Sequence, residues 1–198
     1  MKSLLLNGAI DVNCYLVETA NGWYIIDPGS DIEQLKEETK NLNLKGILLT
    51  HGHADHIGCI GYFDLPIYLH RLEMPMITDN SINCFRMLNE KPAYDASKLK
   101  LIPIDDGMNI DGFLVMHTPG HTRGSVSYLY KNKLFSGDTL FKESIGRTDL
   151  PTGDLAAMKK SVLKIMNLND DINVYPGHGE KTNIKHERKA NPYYQYWK

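Results

Sequence analysis

The run Thr50-His51-Gly52-His53-Ala54-Asp55-His56 constrains this chain more than any other feature. His51, His53, Asp55 and His56 offer imidazole nitrogens and a carboxylate, the donors that bind zinc, iron or manganese. The run follows the apolar residues Gly46-Ile47-Leu48-Leu49, read as a strand over 46–50. The donors therefore fall where a rigid strand gives way to a loop, a good place to hold a ligand. Small residues at 52 and 54 leave the backbone free to turn, so that neighbouring donors can face different ions. A polar cluster of this pattern would arise by chance in about one in a thousand chains of such composition.

Chance also requires no partners elsewhere, and partners exist. His121 lies in Thr118-Pro119-Gly120-His121-Thr122, directly after a predicted strand over 112–117. Asp138 lies in Ser136-Gly137-Asp138-Thr139 after a strand over 133–136, and His178 in Tyr175-Pro176-Gly177-His178-Gly179 after one over 173–175. Three more donors at three more strand ends make a metal site the better reading.

The rest of the chain fits one domain over 1–198. Its 198 residues suit a single sizeable core, and 42% hydrophobic with 23% charged residues is an ordinary globular balance. A net charge of −2 gives no general field for nucleic acid or an anionic membrane. Cys14, Cys59 and Cys84 are isolated and odd in number, which fits a reducing compartment. No apolar run is long enough to span a bilayer, and 1–10 is too interrupted for a signal-peptide core. It is read as the first strand, and a cytoplasmic location is expected.

Further strands are predicted over 13–18, 23–27, 66–69 and 125–130, with Asn21-Gly22 as a hairpin turn between the first two. Helical periodicity marks 31–42, where Ile32, Leu35, Thr39 and Leu42 share a face behind a Ser30 or Asp31 cap. A second helix over 154–168 places Leu155, Met158, Val162, Ile165 and Met166 on one stripe, capped by Asp154. The stretch 71–98 is broken by Pro75 and Pro92, and its portion 74–98 reads equally as a lid over the site or a surface insertion.

Taken in order, HGHADH, TPGHT, SGDTLF and PGHG closely resemble the metallo-β-lactamase superfamily. The run Ser144-Ile145-Gly146-Arg147-Thr148-Asp149-Leu150-Pro151-Thr152-Gly153-Asp154 is similar to its small hydroxyacylglutathione hydrolase (glyoxalase II)-like branch. The resemblance extends from Asn13-Cys14-Tyr15-Leu16-Val17 and Ile26-Asp27-Pro28-Gly29 to Thr182-Asn183-Ile184-Lys185-His186-Glu187. It implies an α/β fold, an αββα sandwich with the metal site at one edge between two sheets. It also implies that His51, His53 and His121 hold one ion, that Asp55, His56 and His178 hold the other, and that Asp138 bridges them. Two divalent ions are expected, zinc first, with iron or manganese as alternatives.

Such a site makes hydroxide near neutral pH and polarises a carbonyl, so it needs no Ser or Cys nucleophile. Asp55 can orient the attacking hydroxide while binding metal. A small acyl-thiol substrate is expected, because thiolate leaves well and suits the metal. Lys142 and Arg147 are possible contacts with an anionic thiol carrier, although Arg147 more readily supports the site loop by hydrogen bonds and Tyr193, Tyr194 and Tyr196 more readily pack a terminal helix. Full-length glyoxalase II enzymes have a C-terminal helical domain for glutathione, whereas this chain ends about 20 residues after His178.

Among the remaining polar residues, Asp27 is placed to buttress the metal loop, and His117 reads as bland more readily than as outer support for the site. His70 and His186 read as surface or structural, and Cys59 as a small buried residue. The nearest rival function is a persulfide dioxygenase-like oxidoreductase with a single iron, followed by a non-catalytic metal-binding protein. A flavodiiron reductase, a nucleic-acid-processing enzyme and an exported β-lactamase fit less well. The sequence carries no expectation for oligomeric state.

Overall fold

A computed structural model describes residues 1–198. The chain divides into two compact units, 1–104 and 105–198.

The first unit is built on a six-stranded sheet of order β1-β2-β3-β4-β5-β6. Its strands are β1 (Lys2–Leu6), β2 (Val12–Glu18), β3 (Trp23–Ile26), β4 (Leu44–Leu48), β5 (Pro66–His70) and β6 (Lys100–Ile104). The first three run antiparallel, and β3 to β6 run parallel. The β2–β3 hairpin turns at Asn21-Gly22 as expected, closed by the Thr19 N–H donating to the Gly22 carbonyl at 2.8 Å.

Parallel neighbours require crossovers. Helix α1 (Ile32–Thr39) joins β3 to β4, and the short α2 (Ala54–Ile57) follows β4. Asp31 caps α1 by accepting from the Gln34 N–H at 3.1 Å. Leu35 and Thr39 are buried, Ile32 and Leu42 partly so, and the helix stops three residues short of the expected 42. On one face of the sheet Leu6, Cys14, Leu16, Ile25, Ile47 and Ile67 pack in one cluster with Leu35, Ala54 and Ile57. The alternate residues Tyr15, Val17, Tyr24, Ile26 and Leu48 are buried too.

The segment after β5 resists sequence reading because it uses tight turns rather than long periodic elements. A 3-10 helix spans Arg71–Ile77 and another Ala96–Lys98. Met76, Ile77 and Phe85 are buried, with Ile77 and Phe85 in the same apolar cluster. The segment 74–98 thus gives Ile77 and Phe85 to the core of its unit, while most of 86–98 stays exposed or half-buried. β6 was not anticipated: its Pro103 speaks against a strand, yet β6 lies at a sheet edge, where a missing N–H is tolerated.

The second unit is a six-stranded sheet of order β14-β13-β10-β9-β8-β7. These strands are β7 (Asn109–Ile110), β8 (Phe113–His117), β9 (Val126–Tyr130), β10 (Lys133–Gly137), β13 (Asn173–Pro176) and β14 (Thr182–Asn183). A two-residue pair, β11 (Leu140–Phe141) with β12 (Ser144–Ile145), stands apart. Both β8 and β10 run antiparallel to β9, and β13 runs parallel to β10. It follows that β8, β10 and β13 all end at the same edge of the sheet.

Helix α3 (Leu155–Met166) is capped by Asp154, which accepts from the Ala157 N–H at 2.9 Å. Met158, Val162, Ile165 and Met166 pack on Met116, Leu134 and Val174. Leu155 does not join that stripe: it is the first helical residue and lies exposed. The other face of the sheet carries Phe113, Tyr128, Tyr130, Phe135 and Tyr175 in ring contact. Helices α4 (Ile184–Ala190) and α5 (Pro192–Trp197) close the chain, with Tyr194 and Trp197 packed inward and Tyr196 exposed. No helix is long and apolar enough to cross a membrane, and all three cysteines are buried and outside any disulfide.

Candidate metal centre

In the first unit the four expected donors leave the end of β4 together. His51, His53, Asp55 and His56 are all buried. The backbone N–H groups between them are taken up from behind. Thr50 N–H donates to Asp27 Oδ1 at 2.8 Å, Gly52 N–H to Glu73 Oε2 at 2.9 Å, and Ala54 N–H to the Asn83 carbonyl at 2.8 Å. Three alternate amides thus anchor the back of a loop that offers donors at 51, 53 and 55.

The hydrogen-bond partners also set the imidazole tautomers. The Asp27 carboxylate can only accept, so the Thr50 hydroxyl donates to its Oδ2 at 2.6 Å. That hydroxyl must then accept from His51 Nδ1, 3.1 Å away. His56 Nδ1 lies 2.9 Å from Asp27 Oδ2. The His51 ring, when neutral, is left with a lone pair on Nε2, which faces His53 Nδ1 at 3.1 Å. His56 Nε2 lies 3.5 Å from Asp55 Oδ2. Asp27 thus stands behind His51, through the Thr50 hydroxyl, and beside His56, the buttressing expected of it.

In the second unit the three donors come from the common edge where β8, β10 and β13 end. His121 Nδ1 donates to the Arg147 carbonyl at 2.8 Å, which leaves the Nε2 lone pair of the neutral ring 3.4 Å from Asp138 Oδ2. His178 Nε2 lies 3.4 Å from that same oxygen. One carboxylate oxygen thus stands equidistant from two imidazole nitrogens. The loops are tied to one another: Gly177 N–H donates to the Gly137 carbonyl at 2.9 Å, and Asp154 N–H to the Gly120 carbonyl at 2.8 Å. Gly146 is packed so closely that a Cβ there would lie 1.8 Å from the Asp138 carbonyl oxygen. His178 is the most open donor, its side chain 25% exposed, with the Phe141 ring against its edge.

Both sets have the donor chemistry of a metal site. Two atoms each about 2.05 Å from one tetrahedral ion lie about 3.3 Å apart, and the separations above bracket that value. Lone pairs aimed at carboxylate oxygens repel unless a cation lies between them, and burial strengthens the repulsion. The residues present fit divalent ions.

The sequence marks Asp27 as a support and leaves two others, Glu73 and Asn83, unmarked. Glu73 is fully buried, as is Asn83, and neither stands in a periodic pattern that would single it out. The two residues considered for substrate contact are otherwise engaged. Arg147 makes a two-pronged contact with Asp149, at 2.8 Å from each oxygen, which holds the Asp149 carboxyl down at about 2. Lys142 pairs with Glu180, which raises the ammonium pKa.

The outlying histidines have structural partners. His117 Nε2 contacts the Arg123 carbonyl, His186 Nε2 contacts Glu143, and His70 Nδ1 accepts from the Leu72 N–H. Cys59 is buried as expected, and burial pushes its thiol up to about 12.

Comparison with known proteins agrees with this architecture. The metallo-beta-lactamase superfamily profile matches residues 7–178, and the chain belongs to that superfamily. Its fold class is the expected α/β metallo-β-lactamase fold. The chain is 35% identical to the hydroxyacylglutathione hydrolase GloC of Haemophilus influenzae, over 93% of each chain. Among solved structures, the di-iron-bound form of TTHA1623 matches with a TM-score of 0.89 at 37% identity, covering 98% of this chain and 100% of that one. The BLEG-1 B3 metallo-beta-lactamase matches with a TM-score of 0.87 at 38% identity, covering 98% of both.

Proposed function

We propose that residues 1–198 act as one domain, in which the donors of the two units form a single binuclear centre that hydrolyses an acyl–thiol bond in a small molecule. In this reading His51, His53 and His121 hold one ion, Asp55, His56 and His178 the other, and Asp138 belongs to both. The observation that carries it is Asp138 Oδ2, 3.4 Å from the Nε2 atoms of both His121 and His178. A carboxylate oxygen shared between two imidazole nitrogens is the arrangement of a group that serves two cations. The similarity to a di-iron-bound protein supports two ions and makes iron a candidate beside zinc.

When bound, such ions supply hydroxide near neutral pH and polarise the acyl carbonyl. The chain's own groups do the rest. The Thr50 hydroxyl, bonded to Asp27, and the Arg147 carbonyl keep His51 and His121 in the ligating tautomer, and Asp55 presents a carboxylate that can orient the nucleophile's proton. Similarity to GloC favours a hydroxyacyl thioester as substrate. Similarity to a B3 metallo-beta-lactamase gives a second reading, hydrolysis of a cyclic amide.

The test is elemental analysis followed by a panel of thioester, lactone, β-lactam and persulfide substrates. Close to two metals per chain and thioester hydrolysis are expected. Asp55→Ala should lower the rate on the order of 10³-fold, equivalent to about 4 kcal/mol of barrier. Full activity after chelation would end the hydrolase reading. One iron per chain with thiol-dependent oxygen uptake would replace it with the persulfide chemistry.

A further inference from the structure

Glu73 is the one fully buried glutamate of the first unit, and it sits beside the most donor-rich loop of the chain. It lies in the 3-10 helix Arg71–Ile77, after β5. Such a helix has three residues per turn, so 73 and 76 eclipse on one edge. Both reach Gly52. Glu73 Oε2 accepts the Gly52 N–H at 2.9 Å, and a Cβ on Gly52 would lie 2.6 Å from Met76 Cβ and 3.5 Å from Glu73 Oε2. The helix edge is therefore fitted to the peptide between His51 and His53, with a carboxyl oxygen placed on that peptide's donor.

We infer that Glu73 is a positioning residue for the metal centre: by fixing the Gly52 amide it holds the His51 and His53 rings in ligating geometry before any ion arrives. The inference rests on the metal-centre reading above. A charged acceptor on a buried amide is about twice as strong as a neutral one. Without it the loop would have to order itself at the moment of binding, and affinity would fall by that ordering. Outer partners of ligands typically contribute 10–100-fold in metal affinity. Glu73 touches a peptide rather than substrate, so its effect should vanish once metal saturates the site.

The test measures metal affinity by chelator competition in wild type, Glu73→Gln, Glu73→Leu and Met76→Ala, with thermal unfolding of the metal-free proteins alongside. Glu73→Gln should bind metal about tenfold more weakly and Glu73→Leu more weakly still. Met76→Ala, which removes packing from the same helix edge, should lower the unfolding temperature yet keep wild-type affinity. Excess metal should restore kcat and KM in Glu73→Gln. Should Glu73→Leu fail to fold, the glutamine isostere decides alone. Wild-type affinity in folded Glu73→Gln overturns the inference, as does an equal loss of affinity in Met76→Ala or a failure of excess metal to rescue. A wild-type protein that binds no metal would instead overturn the metal-centre reading itself.

Discussion

The two units solve one problem, presenting candidate metal donors from the ends of strands, in opposite ways. In the first, four donors stand within six residues on one loop, and their geometry depends on distant acceptors, Asp27, Glu73 and Asn83. In the second, the donors are far apart in sequence and are gathered by strand direction alone, because β8, β10 and β13 end at one edge. The supports differ in kind as well. Behind His51 and His56 stands a side-chain carboxylate, whereas behind His121 stands a backbone carbonyl. A contiguous motif thus needs outside help to hold its shape, and a dispersed one takes its shape from the sheet. Mutation can remove the first kind of support directly and the second only by displacing the chain.

The largest expected effect concerns how tightly the first unit is closed. All three cysteines lie in that unit, and Cys59 follows α2 directly, so thiol labelling reports on it alone. With burial pushing its pKa up to about 12, the folded Cys59 thiol keeps its proton at pH 8. Its thiolate fraction there should be about 10³-fold below that of the unfolded chain, and labelling slower to match. The sign follows from a raised folded pKa: this contribution to stability is present below the unfolded value and is lost as pH climbs towards 12. Labelling of Cys59 in the native protein at the unfolded rate would show that the region behind the loop is open.

A smaller effect separates two close approaches. Gly146→Ala places a Cβ 1.8 Å from the Asp138 carbonyl oxygen, while Gly52→Ala places one 2.6 Å from Met76 Cβ, so the backbone carrying Met76 must move. Overpacking typically costs about 1–3 kcal/mol, and both should stand at the upper end of that range or beyond it, Gly146→Ala above Gly52→Ala. Denaturant unfolding of both variants checks the ranking. Equal losses would mean that the dispersed set is no more dependent on its backbone than the contiguous one.

The contrast in supports is tested by Asp27→Ala against Arg147→Ala. Asp27→Ala should weaken metal binding about 10–100-fold. Arg147→Ala should change it less than about threefold, because the carbonyl that holds His121 remains and the exposed Arg147–Asp149 pair contributes little. Chelator competition measures both. A larger loss in Arg147→Ala would show that the exposed pair, rather than the main chain, orients His121.

Legibility in the sequence followed the same division. Donors are readable because their residue types are few and each follows an apolar run closed by Gly, Pro or Thr, as at Thr118-Pro119-Gly120 and Pro176-Gly177. The helices α1 and α3 were readable from their caps and 3.6-residue stripes, although Leu155 shows that a stripe says little at a helix's first residue. Two-residue strands such as β7, β11, β12 and β14 are too short for any alternation to register. Glu73 and Asn83 were illegible for another reason. A buried acceptor is defined by the amide it serves, Gly52 and Ala54 here, and nothing local marks either as a partner.

The back-anchored loop has a consequence for transplantation. His51 to His56 read as a portable cassette, yet the amides of Thr50, Gly52 and Ala54 are bonded to Asp27, 23 positions upstream, and to Glu73 and Asn83, 21 and 29 positions downstream. Grafting the six residues alone onto another protein's strand end would import the ligands without the scaffold that aims them. The smallest piece that carries its own alignment is the stretch from Asp27 to Asn83.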